Sequence, residues 1–293
     1  MTSSAPDTTA LRIITFNTLP HAFGLVAGWI AQAGHKHVLA VTTPGPAARR
    51  SDDYKAVAAM LPPEVDLLIT TRLRRVATPL IRELRPDLII SFTFPYRLPP
   101  ELRACARIGA VNLHPGPLPA YRGPNPLRAI YDGHHELGAA LHWTEDEFDT
   151  GNILSRHVAP IPASPTPEQI FELWVPTISA VLTEGLPRAI AGDPGEPQDE
   201  ALASYAAAFS EAEHWLNWQE PAHVVQRKAA ALVFFGAGAH AQIAGRPYLV
   251  ERVTTAELGA SAAPGTVVSQ QGFALLIAAA DGLLRVTARP LEA

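Results

Sequence analysis

Five short and almost wholly apolar stretches recur along the first part of the chain: LRIITFN (11–17), HVLAVTT (37–43), DLLIT (66–70), DLIISFT (87–93) and AVNLH (110–114). A strand exposed on one face alternates apolar with polar residues, and these do not, so each is expected to be buried on both faces. Helical stretches such as AFGLVAGWIAQAGH fall between them, and that alternation predicts an α/β fold, a mostly parallel sheet with helices on both sides. In such sheets ligands gather beyond the carboxyl ends of the strands. The fifth run ends there in Asn112 and His114.

A chain of 293 residues is comfortable for two domains, and a hydrophobic share of 47% secures a core. No apolar run is long enough to cross a bilayer, and the N-terminal MTSSAPDTTA has no apolar signal region, so no membrane role and a cytoplasmic location are expected. Cys105 stands alone, which excludes an intramolecular disulfide and an all-cysteine zinc site. A net charge of −5 argues against a chain whose main task is to hold nucleic acid, since that affinity comes largely from Lys and Arg on phosphates.

Residues 1–10 are small and polar and are expected to be disordered. A first domain is expected over 11–190 and a Gly-, Pro- and acid-rich linker over 191–210. A smaller domain follows over 211–293, with one helix, EPAHVVQRKAAAL, and then short glycine-punctuated strands suited to a small barrel or open sheet. Within the first domain, SPTPEQIFELWVPTISAVL starts a helix with Thr166 as N-cap, Pro167 at the first position and Gln169 closing a capping box. Pro176 is expected to kink or split that helix.

Strand alternation sends Asn112 and His114 to one face, where both can point at one small ligand group. Pro115, Pro117 and Pro119, with Gly116 and Gly123, stiffen the loop that follows. A further apolar segment, GAALHWT (138–144), leads into the acidic turn EDEFDTG, which supplies Asp149. Asn can donate to a developing oxyanion, His can move a proton, and Asp can orient the imidazole and raise its pKa. No G-x-S-x-G occurs and Cys105 belongs to the preceding helix, so the set lacks a nucleophile and suits direct attack of one substrate on the carbonyl of another. His142 either lines the acceptor site or belongs to the core, and His134 and His135 fall in a solvated turn. Arg72, Arg74 and Arg75 form either a solvated face or a site for an anionic acceptor such as a nucleotide-linked sugar. No metal site is expected.

VNLHPGPLPAYRGPNP, followed by YDGHHELGAALHWTEDEFDTGNIL, resembles the signature of the folate-dependent formyltransferases: Asn-x-His, a Leu-Pro-x-Tyr-Arg-Gly loop and a distal Asp-x-Gly. The likeness extends through DLIISFTFPYRLPPEL and, from the linker onward, resembles methionyl-tRNA formyltransferases over the second domain. It implies a Rossmann-like catalytic domain, an OB-like C-terminal domain and 10-formyltetrahydrofolate as co-substrate. Position by position it makes Asn112, His114 and Asp149 catalytic. It assigns the pterin to Phe92, Phe94, Tyr96, Arg97 and Leu98, chiefly through main-chain groups, and to the loop with Glu145, Asp146 and Phe148. His142, Tyr121 and Arg122 become candidates for the acceptor.

Two departures bear on the acceptor. Gly116 stands where family members often carry serine, and the segment TTPGPAARRSDDYKAVAAML is shorter and less basic than the tRNA-gripping loop, with Arg49 and Arg50 followed by Asp52 and Asp53. From residue 211 onward six Lys/Arg face seven Asp/Glu. The sequence therefore predicts a small-molecule amine acceptor, with methionyl-tRNA formyltransferase and formyltetrahydrofolate hydrolase as rivals. Oligomeric state is not readable from it.

Overall fold

The computed structural model describes residues 10–46, 51–234, 236, 238–256 and 262–291. The chain divides into two compact units, one built from residues up to 122, 139–157 and 178–203, the other from 123–138, 158–177 and 204 onward. Among the described residues no helix is long and apolar enough to cross a membrane.

The strands of the larger sheet are β1 (Arg12–Asn17), β2 (Lys36–Thr42), β3 (Asp66–Ile69), β4 (Leu88–Phe92), β5 (Gly109–His114), β6 (Glu136–Trp143) and β7 (Ile153–Pro160). They lie in the order β3-β2-β1-β4-β5-β6-β7. The five runs of the opening pattern pair in parallel, and β6 joins β5 antiparallel. The α/β expectation is therefore met, with its parallel core and one antiparallel addition.

Helices α1 (Pro20–Gln32), α2 (Asp53–Ala59), α3 (Thr78–Leu84), α4 (Pro100–Arg103), α5 (Arg128–Asp132) and α6 (Pro167–Ile190) complete this part of the chain. Alternation along β1 and β2 explains the two layers of core. Ile14, Phe16, Leu39 and Val41 meet Ala77, Ile81 and Leu102 on one side, while Ala40 meets Phe23, Val57 and Val65 on the other. α1 begins with Pro20 at its first turn and buries Ala22, Phe23, Val26 and Ile30, a three- and four-residue spacing that makes one apolar stripe.

The capping box of α6 is present as expected. Thr166 Oγ1 accepts from the Gln169 N–H at 3.3 Å, and Gln169 Oε1 accepts from the Thr166 N–H at 2.9 Å. Pro176 does not split the helix, which runs as one element from Pro167 to Ile190. Proline removes one N–H donor from that turn, and the Thr177 hydroxyl contributes a donor there, to the Leu173 carbonyl at 2.8 Å. Replacing Thr166 by Ala is expected to cost about 1 kcal/mol, read as a lower urea midpoint at unchanged slope.

The second unit carries α7 (Ala222–Val233) and a five-stranded antiparallel sheet of β8 (Ala239–Ile243), β9 (Arg246–Ala256), β10 (Val267–Gln271), β11 (Ala274–Ala278) and β12 (Leu283–Pro290). Its strand order is β10-β11-β12-β9-β8. The start of α7 is capped by Asp281, whose carboxylate accepts from the Ala222 N–H at 2.7 Å. The buried Gln226 links α7 to the sheet by accepting from the Thr255 N–H at 2.6 Å. This is the smaller β domain that the sequence predicts.

Candidate functional site

The antiparallel register of β5 and β6 sets Asn112 opposite His142. His114 follows Asn112 onto the same side of β5. After β6 the chain turns through a closed loop, in which the Trp143 N–H donates to the Asn152 carbonyl at 3.0 Å and the Thr144 N–H and hydroxyl both reach the Ala110 carbonyl, at 3.0 and 2.9 Å. A Cβ on Gly151 would lie 1.8 Å from the Trp143 carbonyl oxygen. Only glycine lets the two backbones pass there, which is the physical reason for the glycine of Asp-x-Gly. Asp149 takes a φ of 58°, in the left-handed region that Asp tolerates better than most residues.

That turn returns the Asp149 carboxylate to β5. Its Oδ2 lies 3.3 Å from His114 Nδ1, and its Oδ1 lies 3.3 Å from His142 Nε2 and accepts from Asn112 Nδ2 at 3.2 Å. Asn112 Nδ2 is also 3.2 Å from His142 Nε2, while the Nδ1–H of His142 donates to the Trp143 carbonyl at 2.8 Å. The Nε2–H of His114 donates to the Tyr121 carbonyl at 2.9 Å. His114, His142 and Asp149 are buried, and Asn112 is the partly exposed member of the four.

Burial pulls the His114 imidazole below its ordinary pKa. The Asp149 carboxylate opposes this, His142 adds to the fall, the Tyr121 carbonyl opposes it too, and the net direction is down. Asp149 raises the pKa as expected of it, but the dry surroundings outweigh the carboxylate. Both ring nitrogens of His114 face oxygen atoms. A neutral ring that donates from Nε2 turns a lone pair at Nδ1 toward Asp149, so the pair is satisfied only when it holds one further proton. The arrangement can take up and return one proton.

Gln198, which nothing in the sequence pattern singles out, braces this loop. Its amide donates to the Asp149 and Gly151 carbonyls, both at 2.8 Å. Its Oε1 accepts from Arg122 at 2.9 and 3.1 Å, and the rest of the Arg122 fork meets Glu200 at 2.7 and 3.0 Å. The Arg122 guanidinium is thus committed within the chain, and Tyr121 contributes a main-chain carbonyl to the set.

The residues expected around the pterin flank two loops next to this cluster. Phe92, Phe94 and Leu98 are buried, with Phe94 and Leu98 in the core beside Phe16, so what they can offer a ligand is main chain. Tyr96 is half-buried against Phe94, with ring centroids 5.8 Å apart, and Arg97 is exposed. Glu145, Asp146 and Phe148 are exposed. Arg97 ties the loops together by donating to the Asp146 carbonyl at 3.0 Å and lies 5.8 Å from the Phe148 ring centre. Arg103 adds a bond to the Thr144 carbonyl at 2.7 Å and an ion pair with Asp146.

Elsewhere, Arg72, Arg74 and Arg75 are all exposed, and Arg74 pairs with Glu101 at 2.5 Å. Arg49 and Arg50 lie outside the described residues. Among the described residues no group of three His, Cys, Asp or Glu side chains is placed to hold a metal.

Residues 33–175 match the formyl transferase family and residues 209–292 match the formyl transferase C-terminal domain. The chain is 30% identical over 280 residues to a methionyl-tRNA formyltransferase of Thiobacillus denitrificans, covering 94% of this chain and 90% of that protein. In fold it is similar to HypX from Aquifex aeolicus, solved in complex with tetrahydrofolic acid, with a TM-score of 0.71 and 21% identity over 97% of this chain. It spans only 45% of HypX. It is also similar to the N-formyltransferase from Helicobacter canadensis solved with folinic acid and dTDP-3-aminofucose, with a TM-score of 0.66 and 16% identity over 97% of this chain and 100% of that one. With both family domains matched in order and a relative of that identity spanning nearly its whole length, the chain belongs to the formyltransferase family.

Proposed function

We propose that this protein transfers a formyl group from 10-formyltetrahydrofolate to the primary amine of a small molecule such as an amino sugar, with Asn112, His114 and Asp149 as its catalytic residues. The observation that carries the reading is the buried cluster itself: one carboxylate in contact with two imidazoles and an amide, with no nucleophilic Ser or Cys among its members. Such a set can manage protons and an oxyanion and lacks the hydroxyl or thiol of the usual acyl-enzyme, which favours direct attack. The amine nitrogen forms its bond to the formyl carbon directly. The carbonyl becomes an oxyanion, to which Asn112 turns an amide proton now held by Asp149 and His142. The proton lost by the attacking amine goes to the His114–Asp149 pair. Collapse of the intermediate breaks the bond from the formyl carbon to the folate nitrogen, which receives that proton back.

The donor is supported by the two loops tied by Arg97 and Arg103, residues 92–98 and 145–148, whose remaining main-chain groups suit the hydrogen-bonding edge of a pterin. A small acceptor is supported by charge. Beyond residue 51 the segment after β2 pairs its one Lys with an Asp, Lys55 with Asp52 at 2.8 Å, and from residue 211 onward acids outnumber bases. Phosphate contacts to tRNA need the opposite balance. Methionyl-tRNA formyltransferase is the second reading, favoured by the relative that shares 30% identity.

The test is release of tetrahydrofolate from 10-formyltetrahydrofolate, with amino sugars, nucleotide-linked amino sugars, amino acids and charged initiator tRNA as separate acceptors. Turnover that requires a small amine is expected. Turnover only with tRNA, with binding that weakens steeply across a salt series, supports the second reading instead. Turnover with no acceptor indicates a hydrolase, and absence of donor binding overturns the folate assignment.

A further inference from the structure

Within the second unit, three segments border a cleft of about 110 Å³: the turn from α5 into β6, the strap at 161–165 after β7, and the first two turns of α7. The walls are tied to one another. The Ile161 N–H donates to the His135 carbonyl at 3.0 Å, and the Gln226 amide donates to the Ser164 carbonyl at 2.6 Å. Ile130, Ile161 and Pro165 give the cleft an apolar lining, and every polar side chain that lines it is basic: His134, His135, His223 and Arg227. His223 and Arg227 stand four residues apart on α7 and so share one face.

Arg227 is the anchor of this set. Its guanidinium lies against the main chain of Gly133, where a Cβ would fall 2.8 Å from Cζ and 3.0 Å from each Nη. Gly133 ends α5 at φ 91°, so one glycine both turns the chain and makes room for the guanidinium. Nε donates to the Tyr131 carbonyl at 3.4 Å. Arg227 has no ion-pair partner among the described residues: Asp132, which feels its charge, pairs with Arg128 at 3.4 Å, and the neighbouring Lys228 takes Glu220 at 2.5 Å. A guanidinium beside three imidazoles and without a carboxylate is suited to an external anion.

We propose that this cleft binds the phosphoryl group of a small molecule, a phosphate monoester or the terminal phosphate of a nucleoside diphosphate, with Arg227 as its main contact and His134, His135 and His223 as further donors. The donors come from two elements, α7 and the turn before β6, which suits a tetrahedral oxyanion better than a planar carboxylate. An imidazole gives such an anion an N–H when neutral and a charge as well when protonated. Size limits what enters. The cleft's volume of about 110 Å³ is less than the ~150 Å³ that encloses a benzene ring, so the phosphoryl group fits and the rest of the ligand lies outside, over the exposed Pro162 and Ala163. The site does not depend on the formyl-transfer reading, since none of its residues belongs to the Asn112, His114 and Asp149 cluster.

The experiment titrates the full chain with inorganic phosphate, a sugar 1-phosphate, a nucleoside diphosphate and tRNA, while NMR follows the histidine ring signals. A small phosphate is expected to bind with a Kd of about 1 mM or tighter and to shift His134, His135 and His223 together. Arg227→Gln is expected to weaken that binding about tenfold and His223→Gln about fivefold, whereas Arg246→Gln, at an exposed arginine that starts β9, stays within about twofold. His223 is exposed, so its variant carries the test if Arg227→Gln fails to fold. Tighter binding of the nucleoside diphosphate than of inorganic phosphate places its nucleoside on the rim, and equal binding shows that the phosphoryl group alone is read; both support the site. No shift with any small phosphate, or equal weakening in Arg246→Gln, overturns it. So does binding of tRNA alone, which would make these residues a nucleic-acid contact instead.

Discussion

Replacing Asp149 by Asn is expected to lower the rate of formyl transfer by about 1,000-fold while leaving donor affinity within about twofold. The substitution keeps the shape of the side chain and removes its charge. The carboxylate now meets His114, His142 and Asn112 within 3.3 Å, and it is the shared acid partner of both imidazoles. An amide can still accept from Asn112 on one side, but it cannot take the proton released by an attacking amine. Stopped-flow measurement of tetrahydrofolate formation at saturating donor and acceptor separates the chemical step from binding. A rate within tenfold of the unmodified chain would remove Asp149 from the proton path.

The second large effect is on stability and concerns His37, far along the sheet from that cluster. Burial holds its pKa down at about 4, against an ordinary value of 6.5, despite a stabilising backbone hydrogen bond at Leu39. Its Nε2 lies 3.0 Å from the Thr15 hydroxyl. The native state keeps the ring neutral, so between pH 6.5 and about 4 the unfolded chain binds more protons and stability rises with pH. The contribution is complete above pH 6.5 and lost as the pH falls to about 4, a difference of about 3 kcal/mol. His114, whose pKa is also lowered, contributes with the same sign. Urea unfolding at a series of pH values is expected to show this slope in the unmodified chain and a shallower one in His37→Gln. Equal slopes would assign the loss to other groups.

The sheet was readable because its central strands β1 and β4 are buried on both faces and so are largely apolar, as in DLIISFT, whereas β3, equally apolar in sequence, proves to be a partly exposed edge strand. The capping box was readable because its residues speak only to one another across a single turn. Asn112 and His114 stood out through strand alternation, and Asp149 through the Asp-x-Gly motif it opens. What the sequence does not carry is register. Whether His142 belongs to the core or the site depends on β5 and β6 pairing with Asn112 opposite it, and a one-residue slip would have sent it to the other face. The Tyr121 carbonyl is hidden for a different reason, since main-chain groups leave no letter in a sequence. Pro176 does not split the helix, which runs through it with a threonine hydroxyl bonded back along the same turn.

The brace from Gln198 has a consequence for how such proteins can be recombined. Residues 191–210 look like spacer, and a breeder of chimaeras would cut there and join a foreign C-terminal half. A join after Ile190 discards Gln198 and Glu200, and with them the two bonds that hold the Asp149 and Gly151 carbonyls and the counter-charge that pins Arg122. The Asp149 loop would be inherited with its scaffolding left behind. The portable unit is longer than its sheet, and it ends where the last bond to the Asp149 loop is made.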